Sequence, residues 1–381
     1  MYDPIEFPEE TRDIRDLTTK ICEKYQMPLE ERILAGEKLT HTDFEPGIRA
    51  AREAGLWGLS LPEELGGANL SCYNLVAVQE AASKPLAPLR FWGELPPFLW
   101  NASGKQKELY ADPVLSGEKA FCFAQTEPSG GSDPAGSIRT RAVRDGAEWV
   151  ITGNKVFITA VDFADFVFVV AVTGTDQRQQ GGISMFVVDI DNPGLKITRE
   201  IDVLGGTRVH ELFFDNCRVP AHALLGAEGG GFGQAQQMLS AARMTVGAAA
   251  LGIAWRALEM MTGYAKQREA FGSRLADKQA VQGFIVDSWI EIHQARLAMY
   301  HAAQRTDEGH DTRVEAGMVK VLGTETAGRV LDRAIQVYGG AGVSFDNPLA
   351  HWYGLQRLAR IYEGPTEVHK YQVIARKLLN S

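Results

Sequence analysis

Cysteine is scarce in this chain, with four among 381 residues. Cys22, Cys72, Cys122 and Cys217 form no Cys-x-x-Cys pair, and no histidine stands near them at zinc spacing. They read as free thiols or small apolar residues, which excludes a disulfide scaffold and fits a reducing compartment. The histidines form no His-Glu-x-x-His pattern, so no metal site is expected; His210 and His369 read as structural or surface residues. Positive charge is also in deficit, with a net charge of -9 at pH 7. Nucleic acid is therefore not expected as a partner, because phosphate binding needs a basic face. No uninterrupted apolar stretch reaches the ~18 residues of a membrane-spanning helix. The acidic start, Met1 to Glu10, has neither a secretory apolar core nor an Arg-rich transit pattern. The expectation is a cytoplasmic protein, or a mitochondrial-matrix one if a leader has been removed.

Nucleotide-loop signatures are missing as well. A Rossmann reading needs Gly-x-Gly-x-x-Gly after a strand, and neither Gly229-Gly230-Gly231-Phe232-Gly233 nor Gly339-Gly340-Ala341-Gly342 completes it. There is no Walker A loop, internal repeat or low-complexity linker. What is present is ordinary globular composition, 45% hydrophobic and 23% charged, in a chain long enough for two or three domains. From about residue 9 to 115 the pattern is helical, with Ile14, Leu17, Ile21 and Tyr25 at three- and four-residue steps. From about 120 to 217 it changes to short alternating runs. Asp145-Gly146, between Thr140–Val143 and Trp149–Ile151, signals a hairpin, and 166–170 and 185–188 read as buried strands. After Gly233 helices return. Val281, Ile285, Trp289, Ile292, Ala295 and Met299 mark one face of a long helix, and two more are expected at about 311–337 and 366–379.

Two segments carry the chemistry. In Tyr362-Glu363-Gly364 a carboxylate stands between an aromatic residue and a glycine, just before an expected helix. Apolar flanks hinder ionisation, so a glutamate held there gains a raised pKa and suits a proton acceptor. An exposed turn or a helix N-terminal acid is the alternative reading of the same residue. In Phe123-Ala124-Gln125-Thr126-Glu127-Pro128-Ser129-Gly130-Gly131-Ser132-Asp133 a strand-like run breaks into a loop rich in hydroxyls and glycine. Such a loop can donate to an electron-rich ring or a phosphate, although a structural turn has a similar composition.

Together, Thr-Glu-Pro-x-x-Gly-Ser-Asp and the distant Tyr-Glu-Gly resemble the acyl-CoA dehydrogenase family of flavoproteins. Four further elements keep the family's order: Gly153-Asn154-Lys155-Val156-Phe157-Ile158-Thr159; Arg268-Glu269-Ala270-Phe271-Gly272 with Gln279; Gln336-Val337-Tyr338-Gly339-Gly340; and Arg218-Val219-Pro220 before Leu224-Leu225-Gly226. The resemblance covers nearly the whole chain. It implies an α+β multidomain fold: a helical N-terminal domain (1–117), a small β-barrel-like middle domain (118–225) and a C-terminal four-helix bundle (226–381). It also implies FAD-dependent α,β-dehydrogenation of an acyl-CoA to a trans-2-enoyl-CoA. Glu363 would be the base, and electrons would pass to an electron-transfer flavoprotein.

Carried over residue by residue, the resemblance places Phe123, Gln125, Thr126, Ser132, Phe157, Ile158 and Thr159 at the flavin. Arg268, Phe271, Gln279, Gln336, Gly339 and Gly340 would form its outer shell, part of it reached from a neighbouring subunit of a homo-oligomer, expected as a tetramer. Ser132, Arg243, Tyr362 and Gly364 would meet the acyl-CoA, with a surface salt bridge as the alternative for Arg243. The family's Tyr-Glu-Gly-Thr becomes Tyr362-Glu363-Gly364-Pro365-Thr366 here, which makes Thr366 a substitute for the usual FAD contact, alongside Glu367. Ala242 stands where some members carry an acid and offers no rival base. Two other readings share the scaffold: an oxygen-using acyl-CoA oxidase or flavin monooxygenase, and a non-catalytic flavin-binding assembly protein. The acyl pocket would be walled partly by Pro88–Phe98, where the aromatics either shorten it or pack the helical domain. Arg90 either faces solvent or meets a polar acyl tail.

Overall fold

The structure, a computed structural model, describes residues 1–174 and 181–380. Helical N- and C-terminal regions flank a central sheet-rich region along the chain, as expected. Two compact units result. One contains Met1–Ser60, Ala68–Phe91 and the chain from Ser240 onward; the other contains Leu61–Gly67 and Trp92–Leu239.

The second unit is built on an eight-stranded sheet. Its strands are β1 (Phe121–Ala124), β2 (Arg141–Asp145), β3 (Glu148–Ile158), β4 (Phe166–Val172), β5 (Ile183–Asp189), β6 (Leu195–Asp202), β7 (Arg208–Pro220) and β8 (Leu224–Leu225). Their order is β6-β7-β3-β2-β4-β5-β8, with β1 parallel to β4. The hairpin expected at Asp145-Gly146 joins β2 to β3, and Gly146 has φ +63°. All seven residues of β4 are buried, which explains its unbroken apolar sequence of Phe, Val and Ala: a strand covered on both faces has no polar side. Phe166 and Phe168 pack edge-on at 5.3 Å, and Tyr110 meets Phe166 at 4.9 Å. Full burial of each such ring is worth about 1.5–3 kcal/mol.

Among the described residues the helical unit has four apolar clusters built from separate stretches of chain. Val76 and Ala77 of the helix Cys72–Ala82 share one with Leu251, Met299 and Val319. Leu258, Met261, Ile292, Val330, Leu331 and Trp352 form another, and Ile21, Ala51, Leu56 and Val78 a third. On the helix Gln279–Asp307, Ile292, Ala295 and Met299 of the expected face are buried, while Val281, Ile285 and Trp289 pack at the edge of the core. The helix Arg313–Tyr338 matches its expected span. Residues 366–379 are helical, with a π-helical stretch at Val368–Ile374. The helix Pro348–Ala359 has no counterpart among the expected elements. It starts on a local signal, Asn347-Pro348, with the Asn347 side chain accepting from the Leu349 N–H.

Among the described residues one helix, Gly231–Gln267, is long and apolar enough to cross a membrane. Its apolar positions Ala248, Leu251, Ala254, Leu258 and Met261 are buried in the helical cores, which accounts for its composition. Gly252 on this helix is obligatory. A Cβ there would lie 2.1 Å from the Glu80 carbonyl oxygen, so the two helix backbones meet at that point.

Glu80 itself is buried and ties the unit together. It accepts from Arg15 at 3.0 Å and from the Tyr300 hydroxyl, and pairs with Arg296 at 2.9 Å. Arg296 also donates to both Asp3 oxygens, at 2.8 and 3.0 Å. Burial alone would raise the Glu80 pKa, but Arg15 and Arg296 hold it below the usual carboxylate value. A folded pKa below the unfolded one means the network's stabilisation is present above the ordinary carboxylate range and is lost as pH falls through the folded value. Glu80→Gln leaves the buried Arg296 and the partly buried Arg15 undercompensated and is expected to cost about 3–5 kcal/mol. A lowered urea midpoint at pH 7, with the difference from wild type shrinking in acid, is the expected observation.

Candidate functional site

The candidate site residues fall in both units. In the β unit, β1 runs out at Ala124 into the loop, and two bonds fasten that loop to β3. The Val156 N–H donates to the Thr126 carbonyl at 3.0 Å, and Lys155 Nζ to the Gln125 carbonyl at 3.1 Å. Gln125, Thr126 and Phe157 are thereby brought together. The fastening rests on a buried ion pair. Glu127 accepts from Lys155 Nζ at 2.8 Å and from the Arg139 and Thr140 N–H groups at 2.6 and 2.9 Å. Burial opposes both charges; it pushes Lys155 down to about 8, while Lys155 holds Glu127 below the usual carboxylate range.

Three features of this loop and strand suit a flat aromatic cofactor. The Gln125 side-chain oxygen is buried with no hydrogen-bond partner among the described residues. Phe157 adopts φ +60°, a left-handed conformation costly for an aromatic residue, and leaves its ring 58% exposed. Thr159 and Ser132 are exposed, and Thr126 and Phe123 are half-buried. Ile158 alternates inward and is buried in the core, so its side chain does not join this face.

In the helical unit Arg268 leads into a short ribbon, Glu269–Ala270 against Ser273–Arg274, and Phe271 at its tip is fully exposed at φ +52°. Arg268 and Gln279 are exposed, as are Gln336, Gly339 and Gly340 at the end of the helix Arg313–Tyr338. Tyr338 stacks on Tyr264 at 4.1 Å, and its hydroxyl donates to the Met260 carbonyl at 3.2 Å, which seats that glycine turn beside the end of the helix Gly231–Gln267. No direct bond links Arg268 to Gln336 among the described residues.

The Tyr362-Glu363-Gly364 loop follows the helix Pro348–Ala359. Glu363 has φ +54° and Gly364 φ +95°, two consecutive left-handed residues. Arg243 Nε lies 3.4 Å from the Glu363 carbonyl, and Lys320 Nζ donates to the Gly364 carbonyl at 2.6 Å. His369 Nε2 lies 3.0 Å from the Glu363 carbonyl. Glu325 accepts from Arg360 at 2.9 Å and from the Thr366 hydroxyl at 3.0 Å. The Glu363 Oε2 atom is buried with no hydrogen-bond partner among the described residues. Burial raises the Glu363 pKa, and Arg243 and Lys320 only partly offset that. The arrangement suits a proton acceptor rather than an exposed turn acid.

Tyr362 is half exposed beside Glu363, and Glu367 is exposed. Thr366 is buried with its hydroxyl committed to Glu325, so it differs from the open hydroxyl expected of a cofactor contact. Sequence reasoning missed Lys320, Glu325 and the role of His369. Lys320 gave one signal, a lone cation between Val319 and Val321 on a helix; Glu325 and His369 gave none. A cleft of about 330 Å³ lined by Glu325, Arg329, Arg333, Arg357 and Arg360 includes none of Tyr362, Glu363 or Gly364.

Comparison with known proteins matches the chain, in order, to the acyl-CoA dehydrogenase N-terminal domain (residues 8–118), middle domain (122–217) and C-terminal domain (229–379). It is 35% identical to the (R)-benzylsuccinyl-CoA dehydrogenase of Thauera aromatica, covering 97% of this chain and 96% of that one. It is 34% identical to the mitochondrial short-chain specific acyl-CoA dehydrogenase of Rattus norvegicus, covering 100% and 93%. Among solved structures, the butyryl-CoA dehydrogenase of Megasphaera elsdenii superposes with a TM-score of 0.87 at 28% identity, covering 99% and 100%.

The Glu127–Lys155 pair yields a prediction. Glu127→Ala strands a buried ammonium and frees two backbone N–H groups, a loss of about 3–5 kcal/mol. FAD retention should weaken by an order of magnitude or more, read as flavin fluorescence released on dilution. Unchanged retention would show that the loop is held by other means.

Proposed function

Because the chain belongs to the acyl-CoA dehydrogenase family of FAD-dependent oxidoreductases, we propose that it oxidises a short-chain acyl-CoA thioester to the trans-2-enoyl-CoA with Glu363 as base. The buried, unpartnered Oε2 of Glu363, with its raised pKa, is the observation that carries this reading. The α-carbon proton goes to the Glu363 carboxylate, and the β-hydrogen leaves as hydride with its electron pair as the α,β double bond forms. FAD supplies the two-electron acceptor for that hydride. The Glu363 N–H makes no hydrogen bond among the described residues and is free to hold the thioester oxygen as negative charge develops. Arg243 and Lys320 oppose the rise that burial imposes on the pKa of the base. Gln125, Thr126, Phe157 and Thr159 would receive the ring, and Ser132, Arg243, Tyr362 and Gly364 the acyl-CoA. Electrons would leave to an electron-transfer flavoprotein.

Glu363→Gln keeps the shape but cannot accept a proton. It should retain FAD and bind acyl-CoA, while anaerobic flavin bleaching slows at least about 100-fold. In the wild type the rate should rise with pH through a value above the ordinary 4.5 of a glutamate, because the deprotonated form is the active one. Bleaching of the Gln variant at the parent rate would remove Glu363 from the mechanism. Butyryl-, methylsuccinyl- and benzylsuccinyl-CoA in the same assay rank the acyl group, and admitting air to the reduced protein tests for oxidase chemistry.

We further propose a homotetramer in which Arg268, Phe271, Gln279, Gln336, Gly339 and Gly340 complete the FAD site of a neighbouring copy. The fully exposed Phe271 and the exposed Arg268 and Gln336 support this, since an uncovered aromatic at a ribbon tip gains by association. A guanidinium fork at 268 suits phosphate oxygens. Arg268→Ala should release FAD faster and shift light scattering toward smaller species, both reversed by added FAD through mass action. A monomer holding FAD stoichiometrically would overturn the shared site.

A further inference from the structure

The loop bearing Glu363 is gripped by its backbone, and one of the gripping groups is a histidine buried at 1% exposure. A carbonyl oxygen only accepts, so the 3.0 Å contact between His369 Nε2 and the Glu363 carbonyl requires Nε2 to carry the proton. Nδ1 is then the lone-pair nitrogen, and it is buried with no partner among the described residues. The pocket is shaped to the ring. A Cβ on Gly317 would lie 3.1 Å from Nδ1, and one on Gly364 would lie 2.8 Å from Nε2. His369 is also tied to the loop through its backbone, its N–H donating to the Pro365 carbonyl at 3.2 Å. Burial and the neighbouring Arg243 and Lys320 push the ring's pKa down to about 4, so it stays neutral and keeps its single donor near neutral pH.

We infer that His369 is a positioning residue for the dehydrogenation: its Nε2–H, bound to the Glu363 carbonyl, holds the left-handed backbone that aims the Glu363 carboxylate. The φ of +54° at Glu363 belongs to a region that L-residues other than glycine enter only when their surroundings impose it. Lys320 fixes the next carbonyl, that of Gly364, and Arg243 lies at the longer distance of 3.4 Å from the carbonyl His369 holds. Without the imidazole donor the Glu363 carbonyl keeps only that longer contact, and the turn can relax toward ordinary φ. The carboxylate then swings away from the proton it must take. His369 itself takes no proton and touches no substrate atom.

This inference rests on Glu363 being the base, and its test is run beside Glu363→Gln. Three variants of the FAD-loaded protein are compared. His369→Gln places an amide N–H near the reach of Nε2; His369→Asn reaches only as far as Nδ1; His369→Leu has no donor. The readouts are exchange of the substrate α-hydrogen with deuterated solvent, anaerobic flavin bleaching, and kcat and KM separately. Leu and Asn are expected to lower exchange and kcat about 10- to 100-fold with KM within about twofold, as a misplacement on the order of 1 Å does. Gln is expected to remain within about threefold of wild type. Should Leu fail to fold, the Gln–Asn contrast decides alone. Full activity in Leu or Asn, or Gln no better than Asn, overturns the role of His369 and leaves Glu363 as base. Undiminished exchange in Glu363→Gln overturns both.

Discussion

A carboxylate proposed as a base must be held without being neutralised, and around Glu363 the helical unit grips backbone instead of side chain. Arg243, Lys320 and His369 all surround Glu363, yet their donors point at the carbonyls of Glu363 and Gly364. A direct salt bridge to the carboxylate would fix it more firmly and would also depress its pKa, as Arg15 and Arg296 do to Glu80. Here the cations sit close enough to temper the effect of burial but leave Oε2 unpartnered. The result is a carboxylate with a raised pKa on a turn whose carbonyls are held by side-chain donors. Position and basicity are supplied by separate contacts.

The paired charges elsewhere show the contrasting solution. Glu80 and Glu127 are both nearly inaccessible, and each is surrounded by donors on all sides. Breaking either is costly because the partners left behind are themselves buried. Both oxygens of each carboxylate are already engaged by donors. What they contribute is register: Glu80 joins residues 3, 15, 296 and 300, and Glu127 fixes the loop after β1 against β3. Burial alone therefore does not identify a working carboxylate. Burial with an oxygen left over is what sets Glu363 apart from them.

That distinction also marks what the sequence can reveal. Periodicity and turn chemistry are local, so the β2–β3 hairpin, the all-buried β4 and the face of the helix Gln279–Asp307 are legible in the order of residues itself. The helix Pro348–Ala359 is legible in principle from its Asn-Pro start, but its aromatics and short length mask the period. Glu363 and the Gln125–Ser132 loop stand out through rare residue order. Lys320, Glu325 and His369 do not, because their importance lies in bonds to atoms 44, 41 and 6 residues away, and no pattern of side-chain types encodes where those atoms point. Thr366 shows the converse failure. A hydroxyl one residue beyond its usual place still looks available in sequence, but in the fold it is buried against Glu325.

Pro365 connects these observations. Proline has no N–H and fixes its own φ, so the chain leaving Gly364 cannot be steadied by a donor from residue 365. The structure steadies it from both sides of that gap. The Thr366 N–H donates back to the Arg360 carbonyl at 3.2 Å, and the His369 N–H donates to the Pro365 carbonyl at 3.2 Å. The second of these bonds starts the terminal helix and sets the imidazole of His369 facing the Glu363 carbonyl. Proline thus removes one backbone donor beside the proposed base, and the helix it introduces returns a side-chain donor to the Glu363 carbonyl. Thr366 is drawn inward by the same turn, so its hydroxyl braces Glu325 and Arg360 from beneath the loop. The departure from Gly-Thr to Gly-Pro-Thr and the burial of His369 are in this sense one structural event, in which the contacts that hold the turn come from within the helical unit.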